Sequence, residues 1–186
     1  MARAEGKVAI VTGGGAGIDR SCCLRLAEEG ARVVATDISE ERGEETVEQI
    51  KQNGGEALFL GHDVAQEDQW ESVLRETNET YGGIDVLVNN AGIYLIKPLA
   101  ETTLEEWNNL MAINVTGVFL GMKHSAPAMT ERGGGSIIDM SSVAGLLGVA
   151  GHALYGASKG AVRIMTKDVA VCALAARPGH PGQKPM

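Results

Sequence analysis

The sequence has few of the residues that build disulfide frameworks or aromatic binding surfaces. Only 3 of its 186 residues are cysteines, and aromatic residues make up 4% of the chain. Cys22 and Cys23 are adjacent in a helical pattern and point in different directions, and Cys172 stands apart, so we expect free thiols. Free thiols are typical of reducing compartments, and we therefore expect a cytoplasmic protein.

The charge balance and the N-terminus exclude further classes of protein. The chain has 16 Lys and Arg against 24 Asp and Glu, and this net charge of −8 argues against a nucleic-acid partner. Residues 1–6 contain no apolar run, so we expect no signal peptide and no membrane anchor. No cysteine or histidine spacing fits a metal site. We interpret the four histidines as ordinary structural or surface residues: His62, His124, His152 and His180.

Short apolar runs alternate with helical patterns five times along the chain. The first run, Lys7 to Thr12, is typical of a strand that is covered on both faces in a parallel sheet. The alternation predicts an α/β fold, a Rossmann-type doubly wound parallel sheet in a single domain over residues 1–175. Residues 176–186, rich in proline and glycine, are predicted to be an irregular tail. The predicted strands start near Lys7, Arg32, Ala57, Val86 and Ser136.

Two long helices are predicted over residues 103–131 and 154–175. Thr103 and Glu106 have the spacing of a capping box, which starts the first of them. Pro127 has no amide donor, so we expect it to kink or end this helix.

Tyr155 and Lys159 carry the clearest chemical signal in the sequence. They are four residues apart, so on a helix they share one face. An ammonium beside a phenol favours the phenolate, and such a tyrosine exchanges a proton with an alcohol or a carbonyl. Ser142, thirteen residues before Tyr155, ends the fifth strand and has a hydroxyl that would hold the reacting oxygen. The alternative, a surface pair on a helix, is the commoner meaning of an isolated Tyr-x-x-x-Lys.

Two turns complete a pattern that resembles the short-chain dehydrogenase/reductase family. The turn Thr12-Gly13-x-x-x-Gly17 follows the first strand, where helix amides meet a pyrophosphate, and Asn89-Asn90-Ala91-Gly92 follows the fourth. The resemblance implies a dinucleotide-binding domain with a catalytic tetrad of Asn114, Ser142, Tyr155 and Lys159, in which Asn114 holds a water linked to the lysine. It also implies a cofactor site formed by Gly13, Ala16, Gly17, Ile18, Asp37, Ile38, Asp63, Val64, Asn90, Tyr155 and Lys159.

Asp37 is the residue from which we predict the cofactor. It ends the second strand, twenty residues after Gly17. A carboxylate there binds both hydroxyls of an adenosine ribose and repels a 2′-phosphate, so we expect NAD rather than NADP. The alternative is that Asp37 only caps the turn that follows it.

By this resemblance the chain is an NAD-dependent oxidoreductase that interconverts a secondary alcohol and a ketone. The apolar loop 143–150 favours a hydrophobic substrate, steroid-like or cyclic. The resemblance further implies a homo-oligomer that pairs through helices 103–131 and 154–175.

The sequence departs from the family pattern at two places. Asp19 stands where the family has its last glycine, and at an effective dielectric near 20 its repulsion of a pyrophosphate predicts NAD binding weakened about a hundredfold. After Val171 the chain lacks the pattern of the family's last strands, so we expect a truncated domain whose fifth strand is a sheet edge. The alternative function is a catalytically impaired protein that acts only through nucleotide binding or through pairing with full-length subunits.

Overall fold

The structure is a computed structural model that describes residues 2–175, so the predicted tail 176–186 lies outside the described residues. Five parallel strands form one sheet, in the spatial order β3-β2-β1-β4-β5. This topology confirms the predicted Rossmann-type α/β fold. The strands are β1 (Val8–Thr12), β2 (Arg32–Asp37), β3 (Ala57–Gly61), β4 (Val86–Asn89) and β5 (Ser136–Asp139).

Helices cover both faces of this sheet. They are α1 (Gly17–Glu28), α2 (Glu40–Gln52), α3 (Glu67–Tyr81), α4 (Leu104–Met111), α5 (Gly117–Glu131) and α6 (Ala153–Ala175). Alternate residues of β1 point to opposite faces, so Ala9 and Val11 pack with α1 and α2. Ile10 packs on the other face with Trp70 of α3 and Leu120 of α5. Within residues 2–175, no helix is both long and apolar enough to cross a bilayer.

The long helix predicted over 103–131 is present, with an irregular turn at its centre. Thr103 and Glu106 form the predicted capping box at the start of α4. A π-helical turn, Ala112–Thr116, joins α4 to α5. The helix does not end at Pro127 and continues to Glu131. The missing amide is tolerated because Pro127 is exposed, while Met129, two residues further along the helix and on its buried face, anchors the last turn in the core.

The strand β5 is an edge of the sheet within the described residues, as predicted. It pairs with β4 on one side, and Ile138 is 45% exposed. The other side of β5 therefore presents backbone groups that no described strand covers.

Candidate active site

Most of the predicted site residues converge because parallel strands end at the same edge of the sheet. Thr12, Asp37, Asn89 and Asp139 are the last residues of β1, β2, β4 and β5. The turns that follow these strands therefore meet along the carboxyl edge, at the point where the strand order reverses between β1 and β4. The residues predicted to bind the cofactor, apart from the two on α6, lie in these turns, at these strand ends, in the first turn of α1 (Gly17 and Ile18) or in the segment that follows β3 (Asp63 and Val64).

Asp37 holds the glycine-rich turn in place. One carboxylate oxygen, Oδ2, accepts the Gly15 N–H at 3.0 Å, and Oδ1 accepts the Ser39 N–H at 2.9 Å. A Cβ at Gly15 would lie 2.8 Å from Oδ2, so only glycine allows this approach. Asp37 thus does cap the turn after β2, as the alternative interpretation stated. Its role toward ribose stays a prediction.

Arg42 lies beside Asp37 and was not identified from the sequence. Its Nη2 is 4.0 Å from Asp37 Oδ1, and its side chain is 54% exposed. A cation at this position reduces the repulsion that Asp37 exerts on a 2′-phosphate. The only signal in the sequence was its position in the first turn of α2, five residues after Asp37.

Thr12 links the asparagine-containing turn, residues 89–92, to the glycine-rich turn, residues 12–17. Its hydroxyl accepts the N–H groups of Asn90 and Ala91, each at 3.1 Å, and donates to the Val88 carbonyl at 3.3 Å. Because Thr12 is buried, these bonds fix the backbone of the turn. Thr12 belongs to the glycine motif seen in the sequence, but the motif alone predicts no separate role for its hydroxyl.

The structure brings Tyr155 and Lys159 together on one face of α6. The Lys159 Nζ lies 5.9 Å from the centroid of the Tyr155 ring and donates to the Met140 carbonyl at 2.7 Å. Lys159 is only 6% exposed. This burial lowers the pKa of Lys159, although the negative charge of Asp19 opposes the shift. A buried ammonium next to a phenol is the arrangement that a proton-transferring tyrosine needs.

Ser142 is held against the start of α6 by close backbone packing. It precedes a short 3₁₀ turn, Val143–Gly145, and its Oγ accepts the Ala144 N–H at 3.2 Å. This bond uses an oxygen lone pair and leaves the O–H to donate. A Cβ at Gly145 would lie 2.6 Å from the Lys159 carbonyl carbon, and one at Gly156 would lie 2.7 Å from the Ala144 oxygen. Gly145 in the loop and Gly156 on α6 therefore allow direct contact between α6 and residues 142–150, which we call the serine loop.

Asn114 lies in the π-helical turn and is fully buried. Its Oδ1 accepts the Ile93 N–H at 2.8 Å, and its Nδ2 donates to the Ile93 carbonyl at 2.9 Å and to Ser158 Oγ at 3.3 Å. The side chain thus ties the loop after β4 to α6. Within residues 2–175 it makes no direct hydrogen bond to Lys159, so the predicted link through a water stays a prediction.

We expect Asn114→Ala to destabilise the protein by about 2–4 kcal/mol, because it leaves the part-buried Ile93 N–H and carbonyl without partners. Urea denaturation measures this loss. The matched control is Asn108→Ala on the exposed face of α4, which should cost less than about 0.5 kcal/mol. Equal unfolding free energies for the two variants would contradict the anchoring role of Asn114.

Tyr94 and His152 border Tyr155, and sequence reasoning missed both. The Tyr94 ring packs edge-on against Tyr155, with centroids 4.6 Å apart. His152 Nδ1 lies 2.8 Å from the Ala150 carbonyl, which only accepts, so Nδ1 carries the proton and Nε2 accepts the Tyr94 O–H. From the sequence alone, His152 is interpreted as an ordinary histidine. Its spacing of three residues before Tyr155, about one helical turn, was the available signal.

The remaining predicted cofactor residues lie along the same edge. Asp63 caps the segment before α3, since its Oδ1 accepts the Ala65 N–H at 3.0 Å. Val64 is 7% exposed and packs into the core. Ile18, which follows Ala16 and Gly17, is 62% exposed, and Ile38, which directly follows β2, is 79% exposed. Exposed apolar side chains at this edge are available to cover the flat face of a ligand.

Asp19 lies in the first turn of α1 and reaches back over the glycine-rich turn. A Cβ built at Gly13 would lie 2.6 Å from Asp19 Oδ2. The other oxygen, Oδ1, is buried and has no hydrogen-bond partner within the described residues. Desolvation by burial and the nearby charge of Asp37 raise the pKa of Asp19 to about 7, against the opposing charge of Lys159. A carboxyl group therefore occupies space beside the turn where the sequence predicts the pyrophosphate.

Comparison with known proteins supplies the family. The short chain dehydrogenase family matches residues 7–175. An uncharacterized oxidoreductase of Thermotoga maritima is 45% identical over 167 residues, which are 90% of this chain and 66% of that protein. A cyclopentanol dehydrogenase of Comamonas sp. is 43% identical over 175 residues, 92% of this chain and 68% of that protein. An NADP-dependent (R)-specific alcohol dehydrogenase of Lentilactobacillus kefiri is 43% identical over 175 residues, 92% of this chain and 69% of that protein.

The fold and the convergent turns define an α/β protein of the Rossmann class. The chain belongs to the short chain dehydrogenase family, and the resemblance found in the sequence is confirmed. It spans about two thirds of the length of these curated relatives.

Proposed function

We propose that this chain is an oxidoreductase that interconverts a secondary alcohol and a ketone with NAD(H). The observation that carries the proposal is the buried Lys159 ammonium, 5.9 Å from the ring centroid of Tyr155. Two relatives support it by their names, a cyclopentanol dehydrogenase and an (R)-specific alcohol dehydrogenase.

The residues at the carboxyl edge fit a dinucleotide at both of its ends. At one end, Asp37 is 9% exposed and already fixed by two amides, so it is preorganised for ribose hydroxyls. At the other end, the turn containing Asn90 leads to Tyr155 and Lys159. At the glycine-rich turn, the fit requires that Asp19 carry no negative charge. When bound, the nicotinamide ring exchanges the hydride.

NAD rather than NADP is our proposal for the cofactor. Asp37 supports it, because a second negative charge beside this carboxylate is repelled. Arg42, 4.0 Å from Asp37, weakens this discrimination, and one relative is NADP-dependent. We therefore propose a preference for NAD that is smaller than a lone aspartate would produce.

The chain's own residues account for the proton. In alcohol oxidation, the Tyr155 phenolate takes the hydroxyl proton of the substrate, and in ketone reduction the phenol returns it. Lys159 stabilises the phenolate by its positive charge. The Ser142 O–H donates to the substrate oxygen and orients it toward Tyr155. Asn114 would hold a water that connects Lys159 to solvent.

A hydrophobic, cyclic or steroid-like substrate fits the surface around Tyr155. The serine loop exposes apolar side chains, and Tyr94 adds an aromatic ring that is 57% exposed. Such a surface binds an aliphatic ring by excluding water and offers little to a sugar. The large apolar side chains exposed on the loop are Val143 at 62%, Leu146 at 56%, Leu147 at 63% and Val149 at 44%.

The second candidate function is a catalytically impaired protein that binds nucleotide or pairs with other subunits. Exposed apolar side chains on the two long helices favour such pairing, among them Phe119 on α5 at 47% and Ile164 on α6 at 52%. A homo-oligomer through α4, α5 and α6 is compatible with either function. The free thiols of Cys22 and Cys23 favour a cytoplasmic location for both.

The test follows NADH absorbance while the purified chain is mixed with cyclopentanol, cyclohexanol and a hydroxysteroid, each with NAD and with NADP. We expect turnover with at least one cyclic alcohol and a higher kcat/KM with NAD than with NADP. No turnover with any of them, together with a dimeric mass in light scattering, would favour the impaired, pairing protein. Equal kcat/KM values for NAD and NADP would contradict the cofactor preference.

A further inference from the structure

Asp19 makes a close approach that an ionised carboxylate should avoid. Its Oδ2 lies 2.6 Å from where a Gly13 side chain would begin, so the carboxyl group rests on the surface of the glycine-rich turn. Its Oδ1 is buried and has no hydrogen-bond partner within the described residues. An ionised oxygen in that position loses its water without replacement, whereas a protonated carboxyl group loses much less.

The charges around Asp19 come from three elements. Asp37 at the end of β2 repels a negative charge on Asp19, and Lys159 on α6 attracts it. On α1 itself, the thiols of Cys22 and Cys23 stay protonated, since burial raises both pKa values, that of Cys23 to about 12. Arg20, the adjacent cation, is engaged elsewhere, with the Gly15 carbonyl at 2.6 Å and Thr46 Oγ1 at 3.0 Å. Among the residues that the structure describes, Lys159 is therefore the cation that acts on Asp19.

A dinucleotide would bring a further negative charge to this place. The start of α1 directs its free amides at the glycine-rich turn, where a pyrophosphate is bound by backbone N–H groups. The Asp19 carboxyl group already rests on that turn. A pyrophosphate and an ionised Asp19 would therefore repel each other at close range, while a protonated Asp19 could donate a hydrogen bond to a phosphate oxygen.

We propose that this chain binds its dinucleotide together with one proton, which is taken up by Asp19. The inference rests on the proposed function, because it requires that the edge of the sheet bind NAD(H). It makes Asp19 a residue that controls cofactor affinity through pH. It also changes the expectation from the sequence, since Asp19 would then weaken NAD binding only above its pKa, where it is ionised.

The sign of the pH dependence follows from the direction of the shift. In the free protein the pKa of Asp19 is about 7, and a bound pyrophosphate raises it further. The affinity for NADH is therefore highest below the pKa of Asp19 in the free protein, where Asp19 is protonated both in the free protein and in the complex. Above it, affinity falls about tenfold per pH unit, until the pKa of the complex is reached.

The experiment measures the Kd of NADH by fluorescence between about pH 5.5 and about pH 8.5, for the natural chain and for Asp19→Asn. Asparagine has the shape of the protonated acid and no charge. We expect the Kd of the natural chain to rise about thirtyfold over the alkaline part of this range, and that of Asp19→Asn to stay within about threefold. Calorimetry in two buffers with different ionisation enthalpies should show nearly one proton taken up per NADH at about pH 8 by the natural chain, and none by the variant.

Two controls separate this inference from the proposed function. Asp68→Asn removes an exposed carboxylate from the first turn of α3 and should leave the pH dependence unchanged. NADH binding with a constant Kd across the range would overturn the proton uptake and leave the proposed function standing. No NADH binding by either protein at about pH 5.5 would overturn both. Asp19→Gly, which removes the carboxyl group entirely, replaces Asp19→Asn if that variant does not fold.

Discussion

Replacing Tyr155 with phenylalanine should lower kcat/KM for the proposed alcohol oxidation by about a thousandfold. The change removes only the hydroxyl, and with it the group that exchanges a proton with the substrate, which contributes about 10² to 10⁴ in rate. The aromatic ring remains, so the edge-on packing with Tyr94 at 4.6 Å should be kept. NADH absorbance with the best cyclic alcohol measures the loss.

Tyr81→Phe is the matched control for this experiment. Tyr81 is the last residue of α3, and its ring lies under the guanidinium of Arg32 at 5.4 Å, on an element that does not bear Tyr155. We expect this variant to keep its full kcat/KM. NADH affinity should change less than about tenfold in Tyr155→Phe, since under the proposed function the variant loses at most one hydrogen bond to the cofactor. A Tyr155→Phe variant as active as Tyr81→Phe would refute the assignment of the acid/base.

Gly156→Ala should reduce kcat/KM about a hundredfold although alanine is the better helix former. The added Cβ would lie 2.7 Å from the Ala144 oxygen, a backbone atom that can move only with the serine loop. An ordinary contact begins at 3.4 Å, so the loop would have to shift by about 0.7 Å or more, which takes Ser142 away from Tyr155. Misplacing a catalytic group by about 1 Å costs about that much in rate. Hydrogen exchange of the Ala144 and Gly145 amides should report the displacement.

Gly160→Ala on the same helix separates this steric effect from helix propensity. The nearest atom to a Cβ there is the Gly145 oxygen at 3.7 Å, an ordinary contact. We expect this variant to keep its activity and to gain about 0.5–1 kcal/mol in stability from the better helix former. If both alanine variants kept their activity, the serine loop would not be positioned by its contact with α6.

The fold and the proximity of Tyr155 to Lys159 were predictable because they depend on local periodicity. The apolar runs of β1 and β2 reflect burial on both faces, and this pattern is visible in any short window of sequence. The four-residue spacing of Tyr155 and Lys159 needs only a helix to place both on one face. Asp37 was predictable as well, since the end of a strand in a parallel sheet determines which edge it reaches.

Contacts between distant parts of the chain were not predictable in the same way. The bond between Tyr94 and His152 joins residues 58 positions apart, and the need for glycine at position 15 arises from Asp37, 22 positions away. The π-helical turn that buries Asn114 has no sequence pattern of its own, and the continuation of α5 past Pro127 depends on the packing of Met129. Each of these features requires the packed positions of two elements.

Asp19 shows the difference between what the sequence determines and what only the tertiary structure determines. Its departure from the family's glycine was visible in the sequence, and so was a repulsion between its charge and a pyrophosphate. Its buried, unpartnered oxygen and its neighbours Asp37 and Lys159 became visible only when β2, α1 and α6 were packed together. Residue type and spacing determine which groups the chain carries and which face of an element they share. Packing determines how much water each group loses and which charges it faces, and these two quantities determine whether Asp19 is charged when a dinucleotide binds.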